Sequence, residues 1–307
     1  MTSAIDTPPT AAPPPGASLA PVSAGRKITD RFVQGLVYLA FALAVIPLLS
    51  VLWTVVSNGV TSMSGSFFSH SMNGVSGRDS GGGAYHAIIG TLEQVAITSV
   101  IAVPIAVLTA IYLVEYGGGR WLSKTISFFV DVMTGIPSVV AGLFVLALWM
   151  LTLGISKEGS GFAGSLALAI LMIPTVVRAT EEMLKLVPND LREASYALGV
   201  PRWRTVLFVV LPTAMTGILT GVMLAVARVM GETAPLLLVI GFTKAINTDP
   251  FGGPQGTLPT FIWEQASDPN QTAIDRAWTG ALTLIAIIML LNLAARLVAR
   301  RSSATRR

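Results

Sequence analysis

The sequence predicts an all-α integral membrane protein built from six transmembrane helices. Only 12% of its 307 residues are charged, against 52% hydrophobic, whereas a soluble domain carries roughly 25% charged residues. The mean hydropathy is +0.70. The apolar residues are gathered into stretches, several of them longer than the ~18 nearly uncharged residues that cross a hydrocarbon core of about 30 Å.

The spans read, in order, Phe32–Val56, Ala87–Val114, Thr125–Leu153, Gly164–Leu184, Thr213–Ile240 and Trp278–Ala299, with polar, Gly-rich segments between them. Residues 1–25 are rich in Pro, Ala, Ser and Thr and show no basic region leading into an apolar core. They read as a disordered tail and not as a secretory signal. Residues 26–301 form one membrane domain, and 302–307 a short basic tail. An even number of spans puts both termini on the same side. Of the 20 Lys and Arg residues, only Arg78, Lys157, Lys244 and Arg276 fall on the opposite side, with Arg228 inside a span. The rest crowd the side of the termini, which predicts a multi-pass protein of the cytoplasmic membrane with both ends in the cytoplasm. The same bias accounts for the net charge of +4 and the pI near 9.6 without a nucleic-acid partner; membrane lipid surrounds the chain. Among the external loops, 57–86 is Ser/Gly-rich and expected to be mobile. Loop 241–277, with Pro250, Pro254, Pro259 and Trp263, is expected to be more structured.

Composition also removes several kinds of chemistry. There is no cysteine and there are only two histidines, His70 and His86, so thiolate sites are excluded and histidine-based metal or proton-relay chemistry has little to work with. Gly159 to Gly164 has G-x-G-x-x-G spacing but no βαβ surroundings. No G-x-x-x-x-G-K-[ST] loop occurs, so this chain is expected to bind no ATP or Mg²⁺ and to carry no enzymatic activity of its own.

The loop between the fourth and fifth spans, residues 188–212, is polar yet patterned. Asp190 is placed to N-cap a short helix, with Glu193 three residues later completing a capping box. Leu191–Leu198 then makes about two turns, closed by Gly199 at the C′ position. Pro201 suits the first turn of a second short helix. In the fifth span, Arg228 and Glu232 stand four residues apart in an apolar helix, where a charge at mid-membrane costs about 2.5–3.5 kcal/mol and needs a partner or a watery pathway. Gly217, Gly221, Ala225, Arg228, Glu232 and Pro235 fall on one stripe at ~100° per residue, which should face a partner helix or a pore. An arginine fork suits a tetrahedral oxyanion; the alternative is an ion pair that locks helices together. Asp131 and Ser138 flank Gly135-Ile-Pro137, where a proline frees a carbonyl; they are candidates for the same path, with helix packing as the alternative. Glu93 reads as a side chain reaching for water.

Two of these segments resemble a known family. Glu193-Ala-Ser-Tyr-Ala-Leu-Gly199, nine residues, then Val209-Val-Leu211-Pro212 is similar to the EAA loop of type I ABC importer permeases, departing at Ser195 and Val209. Ala227-Arg-Val-Met-Gly-Glu-Thr-Ala-Pro235 resembles the signature of the PstA-type phosphate permeases. Further agreement lies in Pro104 to Tyr116, Gly135 to Gly142 and Arg178 to Pro188. The resemblance covers roughly residues 30–300 and implies a MetI-like six-helix bundle. It implies that Asp190, Glu193, Ala194 and Gly199 belong to a helix that docks on an ATPase, and that Arg228 and Glu232 serve transport. It implies a second homologous permease subunit, two ABC ATPase subunits that bind the ATP and Mg²⁺, and an extracytoplasmic phosphate-binding protein. A permease of the same class for sulfate or molybdate would keep the Glu193 loop. An ATPase-independent secondary transporter would not need it.

Overall fold

A computed structural model describes residues 24–153 and 159–304. Most of the 1–25 tail, Lys157, and the last residues of the basic tail lie outside the described residues. Two compact units meet between Trp53 and Thr54. The first is the greater part of α1 (Ala24–Thr61), an apolar helix long enough to cross a membrane, with Pro47 in its interior. The second holds everything from Thr54 onward.

In the second unit the described residues are helical, without strands. α2 (Gly65–Ser69) is a single turn. α3 (Tyr85–Ile111) continues into a π-helical turn at Tyr112–Tyr116. α4 (Trp121–Thr134) and α5 (Ser138–Leu153) follow, then α6 (Gly161–Lys185). Two short helices, α7 (Asn189–Ala197) and α8 (Arg202–Thr205), lead through a second π-turn, Val206–Val210, into α9 (Leu211–Met230). α10 (Ala234–Val239), α11 (Leu258–Ala266) and α12 (Gln271–Ala304) complete the chain. Five helical stretches are long and apolar enough to span a membrane, and the α4–α5 pair makes a sixth if counted as one bent span.

α6 is the centre of the bundle. Of its most apolar stretch 61% is buried, against 22% for α3 and for α9, so it is the helix the others pack around. α3 lies along it. Ala102, Ala106 and Ala110, one turn apart and fully buried, share a core with Val176, Val177 and Leu184 of α6. Small residues let two backbones approach closely where lipid supplies no hydrophobic drive.

Two expected spans are interrupted. The third, expected over Thr125 to Leu153 with a proline that bends it, turns by 108° between α4 and α5. Gly135-Ile-Pro137 is the cause, because Pro137 has no N–H to donate and disfavours helical geometry in the residue before it. The fifth was expected to reach Ile240, but α9 stops at Met230 and α10 begins at Ala234. The two breaks are linked: Gly142 of α5 lies so close to Pro235 of α10 that a Cβ would sit 2.7 Å from the proline Cα.

The far loops are more ordered than their composition suggests. Arg276, only 6% exposed, donates to the carbonyls of Asp79 (2.6 Å), Gly77 (3.2 Å) and Ser76 (3.4 Å) and to Gln265 Oε1 (2.9 Å). A glycine-rich loop expected to be mobile is therefore wrapped around a guanidinium. The second loop is structured as expected. Gln255, fully buried, accepts from Gln94 Nε2 (2.9 Å) and donates to Glu93 Oε2 (2.7 Å) and the Asn247 carbonyl (3.2 Å). Glu93 thus bonds a glutamine of this loop.

Arg276→Leu should release residues 76–81. Amide hydrogen exchange or limited proteolysis of the detergent-solubilised protein should show faster opening of that loop, and protection unchanged from wild type would refute the carbonyl cage. Leaving several buried carbonyls unpaired should also cost about 1–3 kcal/mol each at most, seen as a lower Tm.

Candidate functional site

Two regions carry the candidate residues. The first is the α7–α8 turn. α7 starts two residues earlier than the capping box requires. Pro188 occupies the N-cap position, no side chain caps the helix, and Asp190 stands in the first turn, where it complements the helix dipole. The C-terminal reading holds. Gly199 has φ +76° and its N–H bonds the Tyr196 carbonyl at 2.9 Å, a left-handed closure that favours glycine. A Cβ there would meet open space, so backbone strain alone opposes a side chain in this chain by itself.

At about 100° per residue, α7 has two distinct faces. Asp190, Glu193, Ala194 and Ala197 share the outward face and are all exposed, and Leu198 beside them is 83% exposed. Glu193 makes no hydrogen bond or ion pair among the described residues. Arg192 and Ser195 point the other way. Ser195 Oγ lies 2.8 Å from Thr205 Oγ1, both buried, so the departure from alanine at Ser195 is matched by a hydroxyl partner. Arg192 Nη2 lies 2.8 Å from Glu115 Oε1, with the two side chains 13% and 4% exposed. The same guanidinium donates to the carbonyls of Val187 (2.6 Å) and Leu184 (2.9 Å). A short polar helix thus presents an unpartnered face on one side and is fastened to the bundle on the other.

The second region is the end of α9. Gly217 and Gly221 pack on Met183 and Ala179 of α6, with an ideal Cβ on Gly221 falling 2.6 Å from that of Ala179. Ala225 is fully buried. The expected stripe is therefore divided. Its small residues are used in helix packing, while Arg228, in the last turn, has a side chain 61% exposed. Glu232 lies beyond the helix end, past Gly231, and its carboxylate is 3.9 Å from Arg228 Nε with the side chain 19% exposed. That is a loose contact. Pro235 belongs to α10 and is buried.

Asp131 is already engaged. The Arg178 guanidinium binds its Oδ1, Glu181, and both the hydroxyl (3.0 Å) and carbonyl (3.1 Å) of Ser127, joining α4 to α6. Lys185 meets Glu181 at 3.0 Å. Ser138 opens α5, half-buried, and its hydroxyl makes no hydrogen bond among the described residues. The residues that sequence reasoning passed over are Glu115, Arg192, Arg178 and Glu181. A carboxylate at the end of an apolar span needs a partner, and that signal was present at Glu115.

A bundle with two interrupted spans and an outward-facing turn between its central helices is the architecture of a transport permease, and comparison with known proteins agrees. Residues 102–304 match the model of the binding-protein-dependent transport system inner membrane component family, and the chain belongs to that family. It is 46% identical over 288 residues to the phosphate transport system permease protein PstA 1 of Mycobacterium tuberculosis (strain H37Rv), covering 94% of this chain and 92% of that one. The corresponding PstA proteins of Mycobacterium leprae and Pasteurella multocida are 44% and 38% identical, over 90% and 89% of this chain and 90% and 95% of theirs. Among solved structures, a subunit of the MetNI methionine ABC transporter in an inward-facing conformation covers 78% of this chain and 99% of its own, with TM-score 0.58 at 20% identity. A bacterial alginate ABC transporter chain covers 89% and 96%, with TM-score 0.60 at 14% identity. At those identities the likeness is one of fold.

Arg178 and Arg228 should behave differently when removed. Arg178→Ala, which leaves Asp131 without its partner and Glu181 with Lys185 alone, should lower stability by about 1–3 kcal/mol. Arg228→Gln, at an exposed and loosely paired position, should change it by no more than about 0.5 kcal/mol. Thermal unfolding in detergent measures both, and an Arg228→Gln loss equal to that of Arg178→Ala would make Arg228 a structural ion-pair partner.

Proposed function

We propose that this chain forms one half of the transmembrane channel of an ATP-driven phosphate importer, with both termini in the cytoplasm. It pairs with a second, homologous permease subunit and with two ABC ATPase subunits. Those subunits bind and hydrolyse the ATP, while this chain carries the path and no catalytic step. An extracytoplasmic phosphate-binding protein delivers the anion to the side of loops 62–84 and 240–257.

The observation that carries the phosphate path is the exposed guanidinium of Arg228 at the end of an interrupted helix, in a chain nearly half identical to named phosphate permeases. The planar fork makes parallel hydrogen bonds to two oxygens of a tetrahedral anion. At 3.9 Å the Glu232 carboxylate balances the charge of Arg228 without occupying its donors. It also offers an acceptor to the proton that HPO₄²⁻ has and sulfate lacks, which favours phosphate among oxyanions. Ser138 opens a helix at the other interruption and supplies a free hydroxyl. Asp131 contributes by holding Arg178, and so the α4–α6 contact, in place.

The driving end is α7. Its outward face of Asp190, Glu193, Ala194 and Ala197 docks on an ATPase, with Leu198 adding apolar area and Gly199 turning the chain sharply away. Closure of the ATPases on binding ATP displaces α7 and rocks the bundle, and phosphate passes the Arg228 face from outside to inside.

Labelled phosphate uptake in cells tests the reading. Arg228→Gln should reduce uptake about 10–100-fold, the value of one or two charge-assisted hydrogen bonds, while the ATPase still co-purifies. Undiminished uptake by an assembled Arg228→Gln complex would take Arg228 out of the path. Glu193→Ala should instead weaken co-purification of the ATPase or abolish phosphate-dependent ATP hydrolysis, and normal values for both would remove α7 as the dock.

A further inference from the structure

α7 is joined through the chain to only two of the central helices. Leu186 to Pro188 connect it to α6, and Leu198 to Pro201 connect it through α8 to α9. α3 has no such route. Any movement of α7 reaches α3 directly only through side chains. The end of α3 is built for this, since its last turn is π-helical, and π-turns recur at functional positions in helices. Two consecutive residues of that turn each meet an arginine of the α7–α8 element. Glu115 takes Arg192 at 2.8 Å through Nη2 and 3.2 Å through Nε. The Tyr116 ring receives the Arg202 guanidinium 5.2 Å from its centroid.

We propose that the Glu115–Arg192 pair is the linkage through which α7 drives α3, making both residues positioning residues for transport. The proposal rests on α7 being the ATPase dock. Arg192 is suited to the part because its guanidinium is shared. It bonds the Leu184 and Val187 carbonyls at the end of α6 together with Glu115 of α3, so the two helices are pulled by one rigid planar group. The pair is 13% and 4% exposed, where water neither screens it nor substitutes for a lost partner. A directional, two-point bond of this kind transmits displacement along a defined vector, which an apolar contact free to slide does not. α3 then carries the motion along α6 through the close Ala102–Ala106–Ala110 contact.

The test uses the complete complex in proteoliposomes, with phosphate moved per ATP hydrolysed as the readout and ATPase co-purification as the control. Glu115→Gln keeps the shape and an acceptor oxygen but removes the charge. It should assemble and hydrolyse ATP, with the ratio of phosphate to ATP reduced about tenfold, within the usual range of coupling between sites. Glu115→Asp, which keeps the charge, should retain at least about half of the ratio. Glu115→Gln combined with Arg192→Gln should be no worse than Arg192→Gln alone, because the two residues act as one unit. A normal ratio in Glu115→Gln overturns the proposal, as do losses that multiply in the double variant. Failure of both Glu115→Gln and Glu115→Asp to assemble also overturns it, leaving the pair a structural brace. If the docking reading were the one at fault, Glu193→Ala would leave hydrolysis and uptake untouched. If only the linkage were at fault, Glu193→Ala would uncouple and Glu115→Gln would not.

Discussion

Hydrocarbon offers no hydrogen bonds, so each charge and each backbone break in this bundle has to be compensated by the protein itself. The arrangement of the molecule follows from that constraint. Arg178 is surrounded by Asp131, Glu181 and Ser127, Arg192 by Glu115 and two helix-end carbonyls, and Arg276 by a loop of carbonyls and Gln265. Each of these arginines ties together segments distant in sequence, and each uses most of its donors. Arg228 stands apart, exposed and only loosely approached by Glu232. Its guanidinium therefore keeps donors to spare, which is what the proposed anion path would use.

The two ends of the bundle are stiffened by different means. At one end, Gln94, Gln255, Glu93 and Asn247 form a continuous polar network that closes loop 240–257 over the starts of α3 and α6. At the other, two π-turns flank α7, one ending α3 and one opening the helical run that becomes α9. The helices between them are packed through alanine and glycine. Close contact between small residues lets the backbones of α3, α6 and α9 approach one another, while polar linkages fasten the helix ends.

The likeness to methionine and alginate transporter subunits at 20% and 14% identity is one of fold. Helix lengths and the small-residue contacts specify the fold.

The sequence by itself determined the membrane class, the places of the apolar stretches, the glycine closure of α7 at Gly199 and the family. These are properties of local composition and spacing, which need no knowledge of what lies across the bundle. The EAA-like pattern was legible because its spacing is a property of one helix and one turn. Only the tertiary structure decided the rest. Asp131 reads in sequence as a candidate for the path, with helix packing as the alternative, and proves to be a partner of Arg178, 47 residues away. Glu115 reads as the end of a span and proves to be bound by Arg192, 77 residues on. Glu232 reads as a helical neighbour of Arg228 but lies past the helix end, because α9 ends at Met230 with Gly231 as its cap, two residues before it. The glycine-rich loop around Arg276 reads as mobile, since nothing local shows the guanidinium that holds it. For Asp131, Glu115 and the Arg276 loop the deciding term is a charge-assisted bond between remote residues. The strength of such a bond depends on burial and approach, and neither is written in the order of residues along the chain.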